Sequence, residues 1–188
     1  MLRLSGRLSS RANFSEPVRA QVIFCKKCAI MADMAKLTTA MKEFVADQRL
    51  AFLATICPDG SPNLSPKGLT FILDDSQIVI GEVRSPNSIK NLLAQPMAEL
   101  NVVDRNLRKG YRFKGSCVVY KSGDEFDRLT NFMRSKGAIS AIQSIIVMTV
   151  EHANPILSPV YDRGVSEAEV GRQWKRHYDS IDSDCVGK

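Results

Sequence analysis

The chain has 188 residues, 44% hydrophobic and 24% charged, which suits one globular domain and excludes a disordered or fibrous chain. Its formal charge of +6 points at first to polyanions, but residues 1–30 carry six basic residues and one acid, while residues 31–188 carry 20 basic and 19 acidic residues. The body is therefore near neutral, which disfavours a nucleic-acid-binding domain, and no apolar run approaches the roughly 20 residues of a membrane-spanning helix.

The five cysteines (Cys25, Cys28, Cys57, Cys117 and Cys185) lack the even, regular spacing of a disulfide framework, which suggests a reducing compartment. Cys25-x-x-Cys28 has neither the second ligand pair of a zinc site nor the strand-to-helix context of a redox motif, and no metal site is expected. The Arg- and Ser-rich leader has the composition of an organellar transit peptide. Alternatively, the functional body begins at Met31 or Met34 and the protein is cytoplasmic. On either reading, residues 1–33 add little to the core, and residues 34–188 form the domain.

Thr38 is placed to cap a helix over Thr39–Asp47, with Met41, Phe44 and Val45 on one face. Ala51–Cys57 is an apolar strand. Pro58-Asp59-Gly60 is a turn, since Pro presets φ and Gly accepts positive φ. A second strand is expected over Pro62–Leu73 and a third over Gln77–Val83, together a β-meander. Ser85-Pro86-Asn87-Ser88 opens a helix that ends at Ala94, before Pro96. Strands are expected at Met97–Val103, Tyr111–Lys121 and Ile142–His152, with a helix at Asp124–Ser135. Asn154–Tyr161 reads as extended, and Ser166-x-x-Glu169 is a capping box for a last helix over Glu167–Tyr178. Six strands joined mostly by tight turns, with helices outside them, indicate a mainly β antiparallel barrel.

Three segments are candidates for chemistry. Ser65-Pro66-Lys67-Gly68-Leu69-Thr70 combines a cation, hydroxyls and a glycine that lets backbone approach a ligand, although Gly68 alone also fits a bulge. Arg84-Ser85-Pro86-Asn87-Ser88-Ile89-Lys90 places two cations at a helix N-terminus, a favourable place for phosphate, or else supplies only a cap. Arg105 to Gly115 alternates basic and aromatic residues. That pattern fits a nucleic-acid face or one polar side of a barrel strand. His152 and His177 make neither a triad nor a metal site.

LAFLATICPDGSPNLSPKGLTF, SPNSIKNLLAQP, DRNLRKGYRFKG and VYDRGVSEAEVGRQW, in this order and spacing, resemble the pyridoxamine 5′-phosphate oxidase-like family of FMN-binding split barrels. The resemblance runs from about Lys36 to Tyr178. It implies a six-stranded antiparallel split β-barrel that binds FMN at a homodimer interface and acts as an oxidoreductase on a small molecule. It also implies that Ser65, Lys67, Gly68, Leu69 and Thr70 line the flavin ring, with Gly81 and Glu82 near the ring or ribityl chain. Asn87 and Ser88 would take the phosphate with Arg84 or Lys90, and Gly110, Tyr111 and Arg112 would approach from the partner subunit. The authentic vitamin-B6 oxidases have a Ser-Arg-Lys cluster where this chain has Pro86, Asn87 and Ser88. They also have an arginine where it has Ser65, and C-terminal substrate elements that Trp174, Arg176 and His177 do not reproduce. The resemblance therefore implies the flavin and leaves the substrate open. A flavin, haem or deazaflavin carrier without turnover is the alternative.

Overall fold

The structure, a computed structural model, describes residues 35–186, with side chains as far as Asp182. The leader, the boundary at residue 33 and the Cys25/Cys28 pair lie outside the described residues.

Seven strands form one antiparallel sheet: β1 (Ala51–Ile56), β2 (Pro62–Lys67), β3 (Thr70–Ile72), β4 (Gln77–Glu82), β5 (Met97–Asp104), β6 (Lys109–Tyr120) and β7 (Ser144–Leu157). Their order is β2-β1-β5-β6-β7-β4-β3. Four α-helices accompany them: α1 (Thr39–Gln48), α2 (Pro86–Ala94), α3 (Asp124–Ser135) and α4 (Glu167–Val186). The expected mainly β antiparallel architecture is present, with one correction: the single strand expected over Pro62–Leu73 is two strands, so the sheet has seven and not six.

The break has a physical cause. β2 pairs with β1 at one edge of the sheet and β3 pairs with β4 at the other. Only Gly68 and Leu69 join them. Three Cα–Cα steps reach at most about 11 Å, so the two outermost strands of the sheet must meet, and the sheet curls into a half-barrel. β1 to β4 are therefore not one continuous meander. The closure is hydrogen-bonded: the Gly81 N–H donates to the Leu69 carbonyl at 2.8 Å, and Asn63 Nδ2 on β2 donates to Ser88 Oγ on α2 at 3.2 Å.

The interior of the curl holds Leu53, Ile80, Leu100, Phe113 and Met148, closed by Val45 of α1 and by Ile89 and Leu92 of α2. On the other face of β4 and β7, Val79, Ile145 and Val147 pack on Leu129 and Met133 of α3. Burial on both faces explains the unbroken apolar run Ile145–Met148, which departs from the alternation of a one-sided strand. Burial pushes the Cys117 thiol up to about 12, so it packs as an inert small hydrophobe.

β7 runs further than its apolar run suggests, to Leu157, because β6 pairs with it throughout. Past Thr149 it has no β4 partner, and such an edge tolerates Pro155. The caps at Thr38 and Ser166 form as expected: Thr38 Oγ1 accepts from the Met41 N–H, and Ser166 Oγ from the Glu169 N–H, both at 3.3 Å. α4 continues past Tyr178 to Val186. Its aromatic rings carry Arg108 at 4.2 Å from Trp174 and Arg105 at 4.4 Å from Tyr178, cation–π contacts that tie the helix to the β5–β6 loop.

The β6–β7 register shifts between Lys114 and Gly115, where a Cβ on Gly115 would collide with the Thr149 carbonyl. Gly115→Ala is expected to cost about 1–3 kcal/mol or more, read as a lower urea midpoint of the full chain. An unchanged midpoint would show that the close approach is dispensable.

Candidate flavin site

A cleft of about 450 Å³ opens where the two sheet edges meet. Ser65, Lys67, Gly68, Leu69, Gly81 and Arg84, all singled out from the sequence, line it together with Pro66, Val83, Ser85 and Ser140. β2 and the two-residue link supply one wall, and the end of β4 with the turn into α2 supplies the other. Apolar surface from Pro66, Leu69 and Val83 beside a few convergent polar groups is the usual make-up of a small-molecule site, and the volume falls in the usual range.

Lys67 is the electrostatic centre. It is the last residue of β2 and only 4% exposed. Its Nζ donates to Ser65 Oγ at 3.0 Å and to Ser85 Oγ. Burial pulls its pKa below the ordinary lysine value, while the Glu82 carboxylate works in the opposite direction. Glu82, 3% exposed, accepts from both the N–H and the hydroxyl of Ser85. A buried ammonium and a buried carboxylate are thus linked through one serine hydroxyl, which reduces the cost of burying both.

The remaining sequence-derived residues do not line this cleft. Thr70 is buried, its hydroxyl donates to the Lys67 carbonyl at 3.3 Å, and it lines a separate cleft with Phe71 and the α1 residues Lys42, Glu43 and Ala46. Asn87 is exposed on the first turn of α2. Ser88 is fully buried and its hydroxyl faces Asn63, while Asn91 Nδ2 donates to Thr55 Oγ1 nearby at 3.1 Å. Lys90 lines a neighbouring cleft of about 630 Å³ with Glu82, Leu93 and Lys121. Gly110 and Tyr111 line a third cleft, against α1, where the Tyr111 and Phe44 rings meet edge-on at 5.4 Å. Arg112 is on the outer face of the sheet, paired with Glu99 at 3.1 Å. Within this one chain, residues 110–112 do not join the others.

The sequence placed Ser85 in the Arg84–Lys90 segment, either as part of a phosphate-binding helix start or as a cap. It sits at the N-cap position of α2, but its side chain makes no capping bond and is held by Glu82 and Lys67. Ser140 comes from the loop after α3 and has no local signal.

The three glycines differ in kind. A Cβ at Gly68 would meet nothing within 4 Å, so its missing side chain leaves room in the cleft. A Cβ at Gly81 would lie 2.7 Å from Met133 Cε and 3.1 Å from Leu69, and one at Gly110 would strike the Val102 carbonyl. These two glycines serve packing and strand approach. Gly68→Ala is accordingly expected to melt within about 0.5 kcal/mol of the wild type, and Gly110→Ala to lose about 1–3 kcal/mol or more. Equal melting curves for the two variants would contradict this division.

Comparison with known proteins agrees with the architecture. A family model described as pyridoxamine 5′-phosphate oxidase matches residues 37–156. HupZ from Group A Streptococcus is 26% identical with a TM-score of 0.58, over 64% of this chain and 94% of that one. A protein provisionally assigned as a pyridoxamine 5′-phosphate oxidase, from Lactobacillus delbrueckii, is 20% identical with a TM-score of 0.56, over 64% and 94%. An FMN-binding protein from Syntrophomonas wolfei is 16% identical with a TM-score of 0.54, over 65% and 86%. The last two share the fold. No curated protein matches the sequence.

Proposed function

The chain belongs to the pyridoxamine 5′-phosphate oxidase family, and from that premise we propose that it binds FMN in the cleft between Ser65–Leu69 and Gly81–Ser85 and works as an oxidoreductase on a small molecule. The observation that carries this reading is the buried Lys67 ammonium facing a cleft of cofactor size beside an open glycine. Pro66, Leu69 and Val83 offer apolar surface for a planar ring. Arg84, with the exposed first turn of α2 next to it, supplies charge for a phosphate. FMN, when bound, supplies the hydride or electron transfer. The chain's own groups hold and orient it, and Lys67 favours whichever redox state carries more negative charge.

Two observations support this choice over the alternatives. The residues lining the cleft include no His, Cys, Met or Tyr to ligate a haem iron. The arginines of the basic–aromatic stretch are held by the chain itself, Arg105 and Arg108 over aromatic rings and Arg112 by Glu99, which disfavours a nucleic-acid face. Among the described residues no helix is long and apolar enough to cross a membrane. We take the protein as cytoplasmic, in keeping with the unpaired thiols of Cys57 and Cys117.

The reading includes a homodimer. The outer face of β1 and β2 carries the cross-strand pairs Phe52–Pro66, Ala54–Leu64 and Ile56–Pro62, all apolar, with Leu64 65% exposed. Pro66 belongs both to this strip and to the cleft wall. A second copy seated there would cover both. Leu64→Glu is expected to shift the protein from dimer to monomer in analytical ultracentrifugation. A wild type that is monomeric with flavin bound would remove the dimer from the reading.

The cofactor is tested by the visible spectrum of the purified protein with mass identification of the released ligand, and by titration of FMN into the apoprotein. Flavin absorption and saturable binding are expected. Gly68→Ala and Lys67→Met should each weaken binding about tenfold, roughly 1.4 kcal/mol, and Lys67→Met should make the bound flavin harder to reduce. A wild-type protein that ignores saturating FMN would overturn the reading. NAD(P)H- or oxygen-dependent turnover distinguishes an enzyme from a carrier.

A further inference from the structure

We propose that Glu82 is a positioning residue for Lys67, acting through the Ser85 hydroxyl, so that the ammonium is aimed into the cleft. Glu82 makes no direct ion pair among the described residues. It accepts instead from the Ser85 N–H and from Ser85 Oγ at 3.0 Å. A hydroxyl has one proton and two lone pairs. With its proton committed to a carboxylate, which can only accept, Ser85 must present lone pairs on its other side, and Lys67 Nζ donates there. The second Lys67 N–H goes to Ser65 Oγ. An ammonium has three donors, so one remains for a group in the cleft.

The chain of contacts joins the edge strand β2 to the end of β4, since Lys67 and Ser65 are on β2 while Glu82 ends β4. Glu82 therefore does two things at once: it fixes the hydrogen-bond polarity of Ser85, and its negative charge opposes the effect of burial, which lowers the Lys67 pKa. A glutamine in its place keeps the shape but loses both, because its amide can donate to Ser85 and carries no charge. Where this concerns FMN it rests on the reading above; where it concerns Lys67 alone it does not.

The test uses the full chain with Glu82→Gln, Ser85→Ala and Ser85→Thr. In the absence of flavin, lysines are acylated with an amine-reactive ester and followed by mass spectrometry, with the exposed Lys114 as internal reference. Glu82→Gln and Ser85→Ala should each label Lys67 about tenfold faster relative to Lys114, because each removes support for the unreactive ammonium form. Ser85→Thr, which keeps the hydroxyl, should label like the wild type. Unchanged Lys67 labelling in both Glu82→Gln and Ser85→Ala would overturn the proposal. If Glu82→Gln does not fold, the Ala/Thr contrast at Ser85 decides.

With FMN, Glu82→Gln should weaken binding in the wild-type background and add nothing in a Lys67→Met background. Fully additive losses would show that Glu82 acts independently of Lys67, and would overturn the proposal even if labelling changed. A wild type that takes no FMN removes the flavin reading, and the labelling experiment still decides the role of Glu82.

Discussion

The two-residue link from Lys67 to Thr70 constrains the whole molecule. The strands it joins are the two outermost members of a seven-stranded sheet, so the sheet cannot stay open and flat. It must bend until its edges meet, and the natural twist of antiparallel strands takes it in that direction. The interior of the bend is then filled by one side of β1, β4, β5, β6 and β7, with α1 and α2 closing its openings. α3 packs on the opposite face of β4 and β7, so the centre of β7 is buried on both sides. The core, the curvature and the cleft follow from the same short connection.

The meeting edges also explain the polar chemistry at the seam. Strand edges carry unpaired backbone groups, and a sheet that curls edge toward edge must satisfy or expose them. Here the Gly81 N–H finds the Leu69 carbonyl, and side chains bridge the rest: Asn63 to Ser88, and Lys67 to Ser85 and on to Glu82. Charged groups buried this deeply are costly unless paired or hydrogen-bonded. Lys67 and Glu82 share one serine, and the arrangement leaves the ammonium facing the cleft. A core chosen for stability alone would favour apolar residues at these positions, which is why the pair reads as functional.

Local pattern in the sequence revealed what local physics controls. The helices over Thr39–Gln48, Pro86–Ala94 and Asp124–Ser135 match their expected spans closely, because caps, proline and the spacing of apolar residues act within a turn or two. The strand break at Gly68 was not legible. Residues 62–73 keep a strand-compatible pattern throughout, and only pairing with distant partners, β1 on one side and β4 on the other, divides them. The sheet order is non-local in the same way. At the cleft, the Ser65–Thr70 segment stood out because cation, hydroxyls and glycine coincide there, whereas Ser140 reaches the cleft from a loop some seventy residues away and carries no mark of it. Ser85 stood out within the Arg84–Lys90 segment, but its link to Glu82 and Lys67 did not, because the acceptor that claims its hydroxyl precedes the helix. Gly68, Gly81 and Gly110 looked alike in the sequence, and only the space around each one separates a glycine that leaves room from glycines that let strands and side chains approach.

Pro66 ties the cleft to the uncovered apolar strip of β1 and β2. Its neighbours Ser65 and Lys67 turn their side chains to the seam, while Pro66 itself stands on the outer face beside Phe52. Strand alternation forces this division, since successive side chains point to opposite faces. A group seated on the strip is therefore also a wall of the cleft, and it would remove water from the opening through which Lys67 is solvated. Removing that water lowers the local dielectric and strengthens the interaction of the ammonium with any negative charge held there. On the proposed reading, with a flavin in the cleft and a second copy on the strip, cofactor affinity and self-association would be coupled through one proline and one lysine on adjacent positions of the same strand.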